Sequence, residues 1–413
     1  MKSSADSSLW RHRDFRLYWA GQASDVLGSS LSSVAIPLVA VVSLHATTWE
    51  AAVLAAVQKT PPLLFSLPAG AWCDRVRKRP LMMATSLISA AAMASIPLAA
   101  SYDRLTLIQL WVAAFVVGSC HVVGMTASLS YIPHLLPPLR LLEANAKLAG
   151  ANTLADIGGP ALAGALIGLI GAARAVAADA VSYLVTAWCT LRIRSPEAAP
   201  SPRSARPSLR SDIRAGLAYT WRHPVIGPLV TTNAITSTVL AGTNAIWVVY
   251  LIRELNWSPQ AFAIVMSIGA SGGFLASLTT PRLAARYGAG PVMITALTLA
   301  PASQLPLLLA DPGLTGQLGI GCGLFAQLFG AVTHGLTQRT VRQRACTPDM
   351  QGRMQATGQW TAFGLRPFAA LLAGYAGTTL GLRTTLALCA CLLILPPLRL
   401  ALTPIRTLRL AAT

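Results

Sequence analysis

From Leu17 onward the chain alternates long apolar runs with short polar or basic connections. Cut at charges and at Pro/Gly clusters, the runs cover residues 17–44, 50–72, 81–101, 105–131, 145–171 and 173–193, then 225–251, 258–280, 290–310, 313–338, 354–380 and 384–402. Each is close to the ~20 residues that an α-helix needs to cross a hydrocarbon core of about 30 Å. The pattern predicts an all-α integral membrane protein with about 12 transmembrane helices and little chain left for a soluble domain. Residues 194–224, RSPEAAPSPRSARPSLRSDIRAGLAYTWRHP, interrupt it with Pro, Ser and Arg, and read as a linker with a short amphipathic helix near Ser211–Trp221. The expected organisation is therefore a six-helix bundle over residues 1–193, a linker over 194–224 and a second six-helix bundle over 225–413.

Composition supports this reading. The chain is 54% hydrophobic and only 11% charged, against about 25% charged residues in soluble domains. Its formal net charge of +18 is distributed by side. Alternate connections, on the side of the N-terminus, hold Lys2, Arg11, Arg13 and Arg16, the stretch GAWCDRVRKRP (70–80), Arg140, Lys147, the linker arginines, Arg282, Arg286, Arg339, Arg342, Arg344, Arg353 and the arginines of the C-terminal tail. The opposite connections hold Arg104, Arg174, Arg253 and Arg383. By the positive-inside rule both termini are expected in the cytoplasm. The charge marks orientation, and no nucleic-acid partner is expected. Seven cysteines lie mostly inside apolar runs without metal-site spacing, so no metal or other cofactor is expected. No Walker loop is present, which argues against direct use of ATP. The absence of a nucleophile or zinc constellation argues against an enzyme.

Six spans, a linker and six spans suggest an internal repeat. DRVRKRPLM after span two matches ARYGAGPVM after span eight, with Asp74 against Ala285, Arg75 against Arg286 and Pro80 against Pro291. GGPALAGALIGLIG in span five matches LRPFAALLAGYAG in span eleven, with Pro160 against Pro367. Gly70, Asp74, Arg75, Lys78 and Arg79 stand where the major facilitator superfamily has its signature G-x-x-x-D-R-x-G-x-R/K-R/K, and Arg77 replaces the second glycine. The chain resembles that superfamily over its whole length. WRHRDFRLYWAGQASDVLG, ANAKLAGANTLADIGGPALAG and the segment Pro348–Arg353 are similar to the exporter branch that contains macrolide-efflux and siderophore (enterobactin-type) exporters. The resemblance implies two pseudo-symmetric six-helix bundles in a bacterial inner membrane. It also implies a gate in which Asp74 meets the start of span eleven and Arg353. Gly159, Pro160 and Gly164, after Ala151 and Ala155 and with Ala163, resemble the family's antiporter motif and imply export. Ordinary small-residue helix packing would give the same pattern.

An ionisable side chain within a span costs several kcal/mol unless paired or hydrated, so each is a candidate functional group. Asp25 lies in span one with Gln22 and Ser29 on its face, Lys59 in span two beside Gln58, and Asp156 in span five near Asn145 and Asn152. Asp25, Lys59 and Asp156 are expected near one depth, as a proton-coupling or substrate centre or, for Asp25 and Lys59, as a fixed pair. Arg366 in span eleven either meets an anionic group or bonds carbonyls freed by Pro367. Asp179, His121 and His334 read as structural, and Trp10, Trp19, Trp111 and Trp221 as interfacial anchors. The sequence thus predicts a monomeric secondary transporter that exports a small organic molecule, such as an antibiotic or siderophore, against protons. The alternatives are a proton-coupled importer and a membrane sensor or scaffold without turnover.

Overall fold

The computed structural model describes residues 9–73, 76–137, 140–195, 197, 209–346 and 350–408. Among them the regular structure is helical and contains no strand. The helices are α1 (Arg13–Leu38), α2 (Thr48–Cys73), α3 (Lys78–Ser101), α4 (Leu107–Leu135), α5 (Leu141–Ile170), α6 (Ala172–Ala175), α7 (Ala177–Arg192), α8 (Leu209–Arg222) and α9 (Ile226–Val249). They continue with α10 (Pro259–Tyr287), α11 (Ala289–Leu309), α12 (Leu314–Ala345), α13 (Gln351–Gly364), α14 (Arg366–Thr379), α15 (Leu382–Leu392) and α16 (Leu395–Ala401). Each expected span has a helix or a broken helix in its place, and α8 is the linker helix. Among the described residues nine segments are long and apolar enough to cross a membrane. Spans two, six and eleven fall outside that set; in six and eleven, breaks at Val176 and Leu365 leave helices of 16, 14 and 14 residues. Leu154, Leu169, Leu309 and Leu372 are exposed, which suits helices whose outer faces meet lipid rather than water.

Helix ends follow local chemistry. Before α2, Thr47 and Glu50 form a reciprocal capping box: Glu50 Oε2 accepts from Thr47 N (2.7 Å) and Oγ1 (2.8 Å), and Thr47 Oγ1 accepts from Glu50 N (3.2 Å). Before α10, Ser258 Oγ accepts from Ala261 N at 3.2 Å and Pro259 starts the helix. These caps occupy corresponding places in the repeat. Just upstream, α1 ends in one π-turn (Val39–Ser43) and α9 in another (Tyr250–Glu254). His45 and Asn256 follow with φ of 51° and 52°, a conformation that His and Asn adopt more readily than most side chains. The sequence offset is the one that aligns Pro80 with Pro291, so the repeat extends through the backbone well beyond the matched residues.

The chain packs as two compact units, residues 1–45 with 64–202, and residues 46–63 with 203–413. In the first, α1 packs on α5 and α7, and α3 packs on α4 and α7. In the second, α9 packs on α14 and α16, and α11 packs on α12 and α15, which is the same pairing of spans one repeat later. Phe15, Tyr18, Met82, Tyr131 and Ile132 belong to the core of the first unit, and Leu229, Met293, Leu297, Val341 and Leu400 to that of the second. The division differs from the expected boundaries at span two, whose first part joins the second unit. The cause is a seam of small residues: Ala52 and Ala56 are buried with Ala245 and Ala370. Small side chains let the helix backbones approach closely.

Candidate functional site

The signature stretch is described in part. Asp74 and Arg75 lie outside the described residues, as do the surroundings of Gly70 and the side chain of Arg353, both of which are helical. The structure gives Arg79 a specific role. Its guanidinium donates from Nε to Thr190 O (3.0 Å) and from Nη2 to Leu191 O (2.6 Å), capping the C-terminus of α7. The carboxylate of Glu197, just beyond α7, accepts from the backbone N–H groups of Lys78 and Arg79 and caps the N-terminus of α3. Asp14 Oδ2 accepts from Arg194 N (3.2 Å), Ser195 N (2.8 Å) and Ser195 Oγ (2.6 Å), tying the same segment to α1. These bonds satisfy donors and acceptors that helix ends leave free.

Within the first unit, α1, α3, α4, α5 and α7 line a cavity of about 370 Å³. Tyr18, Gln22, Asp25 and Asn152 line it together with His121 and Tyr183, and among the described residues no lysine or arginine does. The cavity face of α1 follows from spacing, since residues 18, 22 and 25 recur at helical intervals. Tyr18 OH and Ser128 Oγ are hydrogen-bonded, and Ser128 Oγ reaches Gln22 Oε1 at 3.1 Å. This leaves Gln22 positioned and Asp25 free: Asp25 Oδ1 is buried without a hydrogen-bond partner among the described residues. Asp156 is in α5, but its side chain lies outside the described residues, as does that of Asn145.

Asp179, which the sequence reads as a structural acid that bonds helix ends or reaches water, is buried completely. Ser32 Oγ donates to Oδ2 at 2.5 Å, and Ser182 Oγ lies 3.1 Å from Oδ1. Gly28 makes this approach possible, because a Cβ there would overlap Ser182 and Asp179. The carboxyl also sits in the first turn of α7, where a helix N-terminus favours negative charge. No cation faces it among its hydrogen-bond and ion-pair partners.

A second cavity, of about 290 Å³, lies within the second unit. Lys59 and Arg366 line it, with Asn233, Asn244, Gln327 and His334 as further polar groups and no carboxylate among the described residues. Asp25, Gln22 and Asn152 share the cavity of one unit, and Lys59 and Arg366 share that of the other. Lys59 has no ion-pair or hydrogen-bond partner among the described residues. Arg366 is the first residue of α14 after the break at Leu365, with Pro367 in the first turn. Its guanidinium stacks on Phe363 at 4.3 Å and its Nε is buried without a partner. It bonds no freed carbonyl among the described residues, which removes that reading of its role. Asn233, Asn244, Gln327 and His334 carried the signal used for Asp25, a polar group inside an apolar run, but uncharged polar groups are frequent there.

Of the antiporter-like residues, Gly159 and Pro160 are buried within α5, and a Cβ on Gly159 would overlap Ser30 of α1. The small residue sets the close approach of α5 to α1 inside one unit. Gly164, one turn further, is also buried.

Comparison with known proteins agrees with this architecture. The profile described as "Major Facilitator Superfamily" matches residues 18–367. The multidrug efflux pump Tap of Mycolicibacterium fortuitum is 26% identical over 400 residues, covering 93% of this chain and 94% of that protein. Macrolide efflux protein A of Streptococcus pyogenes is 22% identical over 267 residues, 64% of this chain and 65% of that protein. Among solved structures, the nucleoside transporter NupG aligns with a TM-score of 0.73 at 13% identity, covering 94% of this chain and 98% of that one. A bacterial homologue of the iron transporter ferroportin aligns with a TM-score of 0.72 at 16% identity, covering 95% and 98%. At such identities the structural likeness concerns the fold.

Proposed function

Because the chain belongs to the major facilitator superfamily, we propose that it is a proton-coupled exporter of small organic molecules that works by alternating access. It sits in a bacterial inner membrane with both termini in the cytoplasm, the orientation that the arginine and lysine distribution favours. Export is supported by the near full-length similarity to multidrug efflux pumps. The observation that carries the coupling is Asp25, a carboxyl at the wall of a largely apolar cavity, with an unpartnered oxygen and no lysine or arginine in the lining among the described residues.

The chemistry follows from solvation. An ionised carboxylate away from bulk water and without a counter-charge is costly, so such a group is driven to bind a proton whenever its access to water closes. Access from the side of high proton activity loads Asp25; access from the other side releases the proton. Gln22, fixed by Ser128, offers substrate a hydrogen-bonding neighbour one turn away, so substrate and proton compete for one wall of the cavity. Asp156 in α5 joins the candidate residues by its position in the helix.

The test is export of a panel of fluorescent organic compounds, anionic, neutral and cationic, from energised cells and vesicles. Efflux collapsed by a protonophore, with Asp25→Asn abolishing substrate-driven proton release while the protein inserts normally, is the expected result. Unchanged proton release in that variant would end the coupling role of Asp25. Accumulation in place of efflux would make the chain an importer, and no flux of any compound in a broad panel would make it a sensor.

A further inference from the structure

The cavity of the second unit holds two cations that helix packing forces together. Along the seam between α2 and α14, Gly374 sits flush on Ala52, where a Cβ would overlap the alanine methyl. Ala56 and Ala370 are buried in one cluster, and Gly364 faces Leu63 with 3.5 Å from its would-be Cβ to Leu63 Cδ1. These pairs run in opposite directions along α2 and along the α13–α14 segment. Lys59 and Arg366 fall between the second and third of them and line one cavity. The small residues on either side lock the helices at this separation.

Like charges beside each other at membrane depth are destabilising unless a counter-charge arrives. None is built in among the described residues, where no carboxylate lines the cavity. Arg366 already uses one face on Phe363, and its Nε is buried without a partner among the described residues. The rest of the wall is mixed: one part is apolar, with Ala296, Leu297, Ala300 and Ala331, and the other carries the amides of Asn233, Asn244 and Gln327, the hydroxyls of Thr236 and Ser237, and His334. Such a lining suits a compact apolar body attached to the anion.

We propose that this cavity is the receptor site for an organic anion, in which Lys59 and Arg366 hold a carboxylate or equivalent group and the alanine-lined wall takes its apolar body. The assignment rests on the transporter reading above and names the substrate class. Guanidinium and ammonium play different parts: Arg366 offers a planar donor array and Lys59 a point charge.

The test compares 1-naphthaleneacetate with its uncharged isostere 1-naphthaleneacetamide, binding to the full chain in lipid nanodiscs at neutral pH, read by naphthalene fluorescence. The acid is expected to bind at least tenfold more tightly than the amide. Lys59→Gln and Arg366→Gln should each weaken acid binding at least several-fold more than amide binding, so that the preference shrinks; Lys59→Arg should retain it, and Ser237→Ala, which keeps both cations, should leave the preference in place. Equal affinity of acid and amide in the wild type, or a preference that survives in the double variant, would overturn the proposal. So would acetate competing as well as naphthaleneacetate, because the site would then take any small anion. Binding needs no gradient, so the two readings separate. A charge preference without protonophore-sensitive flux leaves the anion site standing and defeats proton-coupled export. Protonophore-sensitive efflux from that panel without the preference does the reverse.

Discussion

The four basic residues of the signature stretch are interchangeable if their task is to hold the turn on one side of the membrane, and they are not if one of them caps a helix. Arg77 and Arg79 separate these cases. Arg77 is exposed and makes no hydrogen bond among the described residues, whereas Arg79 donates to Thr190 O and Leu191 O at 3.0 and 2.6 Å. Replacing either by Gln removes one positive charge. A hydrogen bond to a charged group is worth about 1.5–3 kcal/mol when well shielded. The outer of these two is exposed, and solvent screens it. A combined loss of about 1–2 kcal/mol for Arg79→Gln is the resulting expectation, with Arg77→Gln near zero.

The loss is local, so hydrogen exchange measures it better than global unfolding. Peptides covering the last turn of α7 and residues 193–195 should exchange about 5–30-fold faster in Arg79→Gln, the factor that corresponds to 1–2 kcal/mol. Glu197→Gln should accelerate exchange in the first turn of α3, because a neutral amide oxygen replaces the carboxylate that accepts from Lys78 N and Arg79 N. Equal exchange in Arg77→Gln and Arg79→Gln would refute the capping role and return the whole stretch to an orientation signal.

Three further outcomes follow from the same geometry. If Asp25 carries one proton against one univalent organic anion, each cycle moves two charges and a membrane potential of 100 mV supplies about 2.3 kcal/mol for each; Asp25→Asn should lose the proton's share, about a 50-fold drop in the concentration ratio at 1.36 kcal/mol per tenfold, in potential-driven vesicles. Gly159→Ala should lower thermal stability in detergent by about 1–3 kcal/mol through overlap with Ser30. Gly158→Ala, with nothing within 4 Å of the new Cβ, should instead gain up to about 1 kcal/mol from helix propensity. Ser32→Ala should cost about 1–3 kcal/mol by removing the donor to Asp179 Oδ2, and a double-mutant cycle with Asp179→Asn should show that the two effects are coupled.

What the chain reveals before folding is largely what depends on neighbours in sequence. Apolar run length locates the spans, and the Pro/Ser/Arg segment with its amphipathic end locates α8. Threonine and serine before spans two and eight act as the N-caps that their chemistry allows. What depends on helix partners is hidden. Ala52 and Ala56 look like any small residues in a span, and nothing local says that they belong with Ala245 and Ala370. Asp179 lies near a helix end, a place where acids commonly reach water; its burial is decided by Gly28 and Ser32, far away in sequence. Glu197 occurs in a stretch whose composition suggests an unstructured linker, yet its carboxylate finds the start of α3. The break at Leu365 is legible through Pro367, while that at Val176 has no proline to announce it.

The two cavities occupy equivalent places in the repeat, and this gives their opposite charge a meaning. The offset that brings the π-turn at Val39 onto that at Tyr250 also brings Gln22 onto Asn233 and Asp25 onto Thr236. All four line the cavity of their own unit. The amide is therefore kept as an amide, while the acid becomes a hydroxyl. The second unit acquires its charge from other helices, through Lys59 on the part of α2 that joins it and Arg366 at the break in α14. The symmetry of the scaffold and the asymmetry of the ionisable groups are thus separate properties. Helix caps, π-turns and packing repeat because both bundles obey the same backbone constraints. The charged groups do not repeat, which is what the proposed roles require, since a proton-binding wall and an anion-binding wall need opposite electrostatics. Introducing an acid at the equivalent position, Thr236→Asp, should abolish the preference for naphthaleneacetate over its amide by supplying the missing counter-charge. A preference that persists in this variant would show that Lys59 and Arg366 do not set the selectivity of the cavity.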